Sequence, residues 1–484
     1  MVAKNKSIKV NMILNAIKGL MSIFFPLISF PYVSKVLGVD NIGRYNFANS
    51  IISYFILLAG LGINTYAIRE GARLREKENE FKQFANEMFS INILSTIISY
   101  VLFALLLIIV PKFQCYKTLL IILSLQIIFK TIGIEWIYSI YEDYAYITLR
   151  SIIFQIISLI LLFVLVRNEN SVNMYAVITG ISAVGSNVLN YFHAKKYCKV
   201  NFGWKIDWNK HLKPIMVLFA MSVTVTIYVS SDTTILGFLC DDYTVGVYSV
   251  SVKIYSIVKT VLSSVLVVSI PRLSALLGTN DKKKFNFVAS DIYKTLLTVV
   301  IPAIVGIILL RNQIVLLLSD VTYISASSSL LLLSVALFFC LGAWFWGQCI
   351  LVPMKMEGTV FKITVVSALV NIGLNFVLIP IWKENAAALT TVIAEAISFI
   401  WCWYKGNKIV KLEGTIKSLL KIVIGCLGII VASCVCAKFF KNGNLYMMAT
   451  IITSMIIYGV IEIVLKNEAL YGIITIAKKK IGKK

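Results

Sequence analysis

What most limits this chain is a recurrence, from one end to the other, of apolar stretches long enough to cross a bilayer. A helix needs about 20 such residues to span the hydrocarbon core. Stretches of that kind lie near residues 11–37, 43–68, 84–110, 117–140, 147–166, 173–194, 214–238, 244–270, 291–318, 328–352, 360–380, 386–404, 418–437 and 445–466, fourteen in all. They must be helices, because lipid offers no partner to unpaired backbone groups and the alternation of a barrel strand is absent from them. Composition agrees: 59% of the 484 residues are hydrophobic and 14% are charged. Soluble domains run nearer 45–50% and about 25%, so the excess apolar surface faces lipid. The expected fold is an all-α integral membrane bundle.

The net charge of +23 would suggest nucleic acid in a soluble protein. Here the basic residues flank apolar runs instead of sharing a soluble face with exposed aromatics, which excludes a nucleic-acid partner. With the amino terminus placed inside, 33 Lys and Arg fall on inner segments, 9 on outer segments and 4 within spans. The positive-inside rule then puts both termini in the cytoplasm. Lys4, Lys6 and Lys9 precede a first run that continues to residue 37 without an A-x-A site, so that run is expected to stay as a span and not to be cleaved. Outer segments are short, about ten residues at most. The longest inner one, 195–213, carries six Lys against Asp207. It suits anionic lipid, with docking of a partner enzyme as the other reading.

Catalysis finds little support. Of nine cysteines, most lie in apolar runs and act as small hydrophobes. There is no CxxC pair, and a Cys115–Cys240 disulfide is not expected. His193 and His211 sit near the inner face with no evident partner, so neither a metal site nor a His-activated nucleophile is expected. No GxxxxGK loop occurs, and the GxG at Gly60 and Gly62 lies within a span. No cofactor follows, and a membrane polymerase or glycosyltransferase would need a large outer loop or an acid-rich inner segment.

Charges inside spans are costly and mark function. The cations are Lys18, Lys130, Lys253 and Lys259; the acids are Glu135, Asp232 and Glu395. Lys18 shares a helical face with Asn11, Asn15, Ser22, Pro26 and Ser29, and Lys253 with Ser249, Ser256, Thr260 and Ser264. Lys259 stands roughly 120° around from Lys253. Asp232 aligns with Thr224, Tyr228 and Ser231, and Glu395 with Thr391, Ser398 and Cys402. Lysines around a lumen suit an anionic ligand, phosphate above all. Snorkelling to the interface is the plainer reading of the lysines, and permanent pairing with a lysine that of the acids. Pro26 and Pro302 are expected to kink or break their helices. The stretch LGVDNIGRYNFANSI (37–51) has a counterpart in LGFLCDDYTVGVYSVSVKI (236–254), with Gly43 and Tyr45 answering Gly246 and Tyr248. That spacing fits a duplicated six-helix unit with a substrate path between the copies.

Several stretches carry a wider resemblance: PYVSKVLGVDNIGRYNFANSI, GINTYAIREGARLR, GIEWIYSIYEDYAYITLRS, SDTTILGF with VGVYSVSVKIY, GQCILVPMKMEG, NIGLNFVLIP and NAAALTTVIAE. In that order the chain resembles the Wzx-type lipid-linked oligosaccharide flippases of the polysaccharide transporter family, in the multidrug/oligosaccharidyl-lipid/polysaccharide exporter superfamily. The resemblance implies two six-helix lobes around a central cationic lumen, residues 1–200 and 201–410, then two helices and a basic tail over 411–484. It implies a bacterial cytoplasmic membrane protein, not an enzyme, that moves undecaprenyl-diphosphate-linked repeat units outward by alternating access. Its partners would be the polyprenyl-diphosphate-linked oligosaccharide, membrane lipids and the polymerase machinery. Lys18, Lys130, Lys253 and Lys259 would face the diphosphate, and Asp232, Glu395 and Glu135 would be the ion-coupling candidates. An ion-coupled multidrug exporter and a lipid II flippase of the same superfamily are the alternatives.

Overall fold

Helix appears wherever the apolar runs stand, since a backbone in hydrocarbon has no other way to satisfy its N–H and C=O groups. The computed structural model describes residues 8–277 and 281–469, without the side chains of 8–16, 18, 22, 268 and 277. Among the described residues there is no strand. The helices are α1 (Ile8–Gly60), α2 (Ile63–Leu74), α3 (Glu78–Ile109), α4 (Pro111–Gln114), α5 (Lys117–Ile132), α6 (Glu135–Ile140), α7 (Tyr144–Leu165), α8 (Val172–Gly180), α9 (Asn187–Ala194), α10 (Trp208–Leu239), α11 (Asp242–Leu277), α12 (Lys282–Leu318), α13 (Ala326–Trp344), α14 (Glu357–Gly406), α15 (Thr415–Phe439) and α16 (Gly443–Val464).

Eleven helical segments are long and apolar enough to cross a membrane. Two of them are too long for one passage. The 53 residues of α1 and the 50 of α14 would each extend about 75–80 Å at 1.5 Å per residue, against a hydrocarbon core of about 30 Å. Each is broken once, α1 at Gly38 (φ 74°, ψ 170°) and α14 at Lys383 (φ 49°, ψ −127°). Counting each of these as two, and adding the 16-residue α5, gives the fourteen segments expected from the sequence. The breaks are not where the prolines suggested. α1 continues through Pro26 and α12 through Pro302, with no non-helical residue at either. The turn between passages needs a left-handed residue, which Gly38 adopts without a Cβ penalty. The expected single helix over 117–140 is also divided, at Ile134 (φ 35°).

The described chain forms two compact units, Met1–Ser249 and Val250–Lys484, with the division inside α11. In the first, α1 is the shared wall against which α3, α5, α7 and α10 pack. Its end is stitched to α3 by a polar stripe at helical spacing: Asn92 Nδ2 and Ser95 Oγ donate to the Ala59 carbonyl at 2.7 and 2.5 Å, and Ser99 Oγ to the Phe55 carbonyl at 2.8 Å. Thr96 and Thr131 join α3 to α5 at 2.6 Å. Each such bond between membrane helices contributes about 0.6 kcal/mol. Close backbone approach does the rest. A Cβ on Gly43 would lie 1.8 Å from the Asp242 carbonyl oxygen, and one on Gly246 would lie 2.1 Å from that of Val39. The two glycines singled out by the internal repeat therefore pack reciprocally, each against the residue four positions before the other.

In the second unit the core gathers Tyr293, Leu296, Leu341, Phe345, Trp346 and Ile350 from α12, α13 and the segment after it. α15 and α16 lie together because Gly425 and Gly428 leave notches for Tyr458 and Ile461. Tyr458 donates to the Thr298 carbonyl of α12 at 2.8 Å, and Lys294 Nζ meets Glu468 at 2.7 Å. The buried Glu462 carboxylate accepts from Asn467. All nine cysteines are free.

Candidate functional site

Each charge within a span must find a partner or an opening, so the site is assembled by following those charges. In the first unit, Asp232 is buried on α10 and accepts a hydrogen bond from Tyr248 at 2.9 Å. It sits beside a hydroxyl seam between α1 and α10. Thr234 Oγ1 donates to Ser50 Oγ at 2.9 Å, Tyr54 meets Thr234 at 3.1 Å, and Ser53 donates to Ser230 at 3.3 Å.

Lys130 is exposed near the end of α5. The exposed apolar stripe of that helix is Ile121, Leu125 and Ile128, and at 100° per residue Lys130 stands roughly 170° away from it. Lys130 therefore lies on the side of α5 opposite its exposed apolar stripe. Lys18 lies on the described backbone of α1, but its side chain is outside the described residues.

Glu135 begins α6 just after the left-handed Ile134 and pairs with Arg150 of α7 at 2.9 Å. Arg150 is buried while Glu135 is 43% exposed, so this acid serves as the counter-charge of a buried guanidinium at a helix break. At the other end of the unit, Tyr116 donates to Asp242 at 2.5 Å, Arg44 stands 3.9 Å from the same carboxylate, and Lys112 donates to the Phe238 carbonyl at 3.2 Å. These groups close the end of α10 and the start of α11, where free carbonyls attract cations.

In the second unit, Lys259 and Glu395 approach to 4.0 Å, the acid buried and the lysine side chain 33% exposed. The ammonium also lies over the Tyr255 ring, 5.5 Å from its centroid. Lys253 is half-buried about one and two-thirds turns earlier on α11. The two halves of α14 are laced by amides and a hydroxyl: Thr390 Oγ1 to Asn375 Oδ1 at 2.6 Å, Asn375 Nδ2 to Asn371 Oδ1 at 3.2 Å, and Asn371 Nδ2 to Thr390 Oγ1 at 3.4 Å. Both asparagines belong to the NIGLNFVLIP stretch.

A further cluster escaped the sequence reading. His211, on the first turn of α10, is completely buried, with Nε2 2.6 Å from Glu87 Oε2 and Nδ1 2.9 Å from the Tyr66 hydroxyl. The expectation that this histidine lacks a partner is thus corrected. Glu87 stands too near the start of the 84–110 run to count as a charge within it, and its partner is 124 residues away in sequence. One available signal was helical: Glu87 falls on the same face as the buried Phe84 and Ile91. No group of three or more His, Cys, Asp or Glu that could hold a metal ion occurs among the described residues.

Outside the spans, burial and the hydrogen bond to Asp143 push the Tyr197 phenol well above its ordinary range, and the Lys294 ammonium holds the Glu468 carboxyl below its own.

Residues 8–277 match the family model described as polysaccharide biosynthesis protein. A putative O-antigen transporter of Escherichia coli (strain K12) is 22% identical over 413 residues, covering 83% of this chain and 98% of that protein. The capsular polysaccharide biosynthesis protein CapF of Staphylococcus aureus is 24% identical over 383 residues, covering 75% and 90%. Among solved structures, the lipid II flippase MurJ in an inward closed conformation superposes with a TM-score of 0.76 at 19% identity, covering 94% of this chain and 99% of that one.

Proposed function

The chain belongs to the polysaccharide biosynthesis protein family, and from that membership we propose that it is a flippase for polyprenyl-diphosphate-linked oligosaccharides in a bacterial cytoplasmic membrane. The observation that carries this reading is likeness to a putative O-antigen transporter along 98% of that protein's length, in a chain whose fold is that of a lipid flippase. Both ends of the chain are taken to be cytoplasmic, on the 33 to 9 division of basic residues. The chemistry is transport. A diphosphate cannot enter hydrocarbon without replacement of its water, and ammonium and hydroxyl groups on an aqueous path supply that replacement. Lys130 and Lys253, together with Lys18, are the cations assigned to the diphosphate. Lys259, 4.0 Å from Glu395, is the fourth. Asp232, Glu395 and Glu135 are the ion-coupling candidates, Glu395 beside Lys259 and Glu135 beside Arg150. The polymerase machinery that receives the exported units is the expected neighbour.

The test is export of surface polysaccharide in cells that depend on this chain. A Lys130→Ala/Lys253→Ala variant should insert normally and lose about tenfold or more of surface polymer, one tenfold step for each 1.4 kcal/mol of lost phosphate interaction. Full polymer from that variant would remove the lysines from the path. Drug efflux or rescue of lipid II export by the wild-type chain, without polymer export, would replace the cargo.

A further inference from the structure

The structure joins His211, Glu87 and Tyr66 across three helices, and no part of the proposed transport step uses them. His211 is 0% exposed, Glu87 5% and Tyr66 3%. Phe84 closes the side, its ring centroid 5.8 Å from the imidazole. The second carboxylate oxygen of Glu87 accepts from Gln83 Nε2 at 2.9 Å. We propose that this cluster is a proton-binding site, which loads and releases one proton as α10 parts from α2 and α3.

The chemistry rests on which atom donates. With a neutral imidazole, Nε2–H donates to Glu87 and the Tyr66 hydroxyl donates to Nδ1. When one proton is added at Nδ1, both ring nitrogens donate, and the Tyr66 oxygen accepts from Nδ1–H after its own hydrogen rotates about the C–O bond. No heavy atom has to move. The buried charge changes from −1 to 0 while the His211 contacts to Glu87 and Tyr66 both persist, which is what a carrier that holds either state in one geometry requires. A carboxylate and a phenol on the two nitrogens also fix the ring, so the proton is held at a defined place.

The surroundings leave the exchange to this cluster. On α2, Arg69 and Glu70 pair with each other at 3.0 Å, Arg69 lying over the Tyr66 ring. On α3, Glu80 pairs with Lys77, and Lys82 is exposed. On α10, Asp207 caps the first turn through the Lys210 N–H, and Lys210 and Lys213 are exposed. The segment before α10 crosses α3 through Asn201 N to Asn86 and Gly203 N to Ser90, and its Lys199 and Lys205 are exposed. α6 contributes Glu135, paired with Arg150. Water therefore reaches the imidazole only if the seam opens. That seam is tight: a Cβ on Gly62, at the start of α2, would lie 2.9 Å from the Phe219 nitrogen of α10. A proton bound here is occluded in the closed seam and exchangeable in the open one, the property that couples protonation to a conformational cycle.

This inference takes the flippase reading as its setting, and two measurements separate their fates. The chain has two histidines, so His193→Gln leaves His211 as the single imidazole signal in the magnetic resonance spectrum of the full-length protein in lipid nanodiscs. His211 should pass through one protonation step as pH is varied, and that step should move in Glu87→Gln and in Tyr66→Phe. In vesicles carrying a polyprenyl-diphosphate oligosaccharide, the export rate should change about fivefold or more across that step in the wild type and stay within about twofold in Glu87→Gln. An imidazole in one protonation state throughout overturns the site. So does an unchanged pH profile in Glu87→Gln. If the wild type exports nothing, the flippase reading fails while the resonance measurement still decides the proton site; if Glu87→Gln does not fold, Tyr66→Phe carries both arms.

Discussion

Substituting alanine for Gly43 or Gly246 tests whether the reciprocal glycine contact holds α1 against α11. A Cβ at residue 43 would lie 1.8 Å from the Asp242 carbonyl oxygen, and one at residue 246 would lie 2.1 Å from that of Val39. Ordinary contacts need about 3.4 Å or more, so either substitution forces the backbones apart by roughly 1.5 Å. Overpacking of this kind costs about 1–3 kcal/mol. Displacing Asp242 also breaks the 2.5 Å bond from Tyr116, worth a further 1.5 kcal/mol or so for a charged acceptor. Gly43→Ala is therefore expected to destabilise by about 2.5–4.5 kcal/mol, and Gly246→Ala, more remote from Tyr116, by about 1–3 kcal/mol. Both act on one gap, so the double variant should cost less than the sum by at least 0.5 kcal/mol. Thermal unfolding in a mild detergent, scored by retained monodisperse protein, supplies all four corners of the cycle. Single variants within about 0.5 kcal/mol of wild type, or strict additivity in the double, would refute the reciprocal packing.

The Lys259–Glu395 pair should break unequally: Lys259→Met strands a buried carboxylate and is expected to cost about 3–5 kcal/mol, whereas Glu395→Gln leaves an ammonium that still lies over the Tyr255 ring and should cost less. The same melting assay ranks them, and equal losses would argue against the burial difference as the cause. Glu468, held below its ordinary range by Lys294, stabilises the native state above the unfolded carboxyl range near 4.3 and loses that contribution as pH falls through its lower folded value. Because Glu468 is largely exposed the effect is about 0.2–1 kcal/mol, and Glu468→Gln should flatten the dependence of melting on pH in that acidic window.

The passages were legible because hydropathy alone dictates them, and fourteen helical segments follow the fourteen runs. Where the chain turns was less legible. Proline marks lost hydrogen bonds, but in α1 and α12 the helix tolerates Pro26 and Pro302, while the sharp turns fall at Gly38 and Lys383, positions whose left-handed backbone leaves no hydropathy signal. The internal repeat singled out Gly43 and Gly246, which the fold brings into contact; nothing in one strand of sequence says that two similar motifs will touch each other. The charges followed the same division. Lys259, Asp232 and Glu395 declared themselves by standing deep in apolar runs, and the fold sets Asp232 beside Tyr248 and Lys259 beside Glu395. His211 and Glu87 did not declare themselves, because charges near the start of a span look like ordinary flanks until the fold puts one against the other.

The ties between α12 and the last two helices bear on how motion in this protein can be observed. Tyr458, Asn467 and Glu468 fasten to Thr298 and Lys294 of α12, and the Gly425 and Gly428 notches lock α15 to α16. A pair of spectroscopic labels, one on the outward side of α16 and one on α12, would ride the same rigid strut and keep a fixed separation through a transport cycle. Such a pair serves as an internal ruler, against which a change between any other two labels can be scored as motion and not as loosening of the protein.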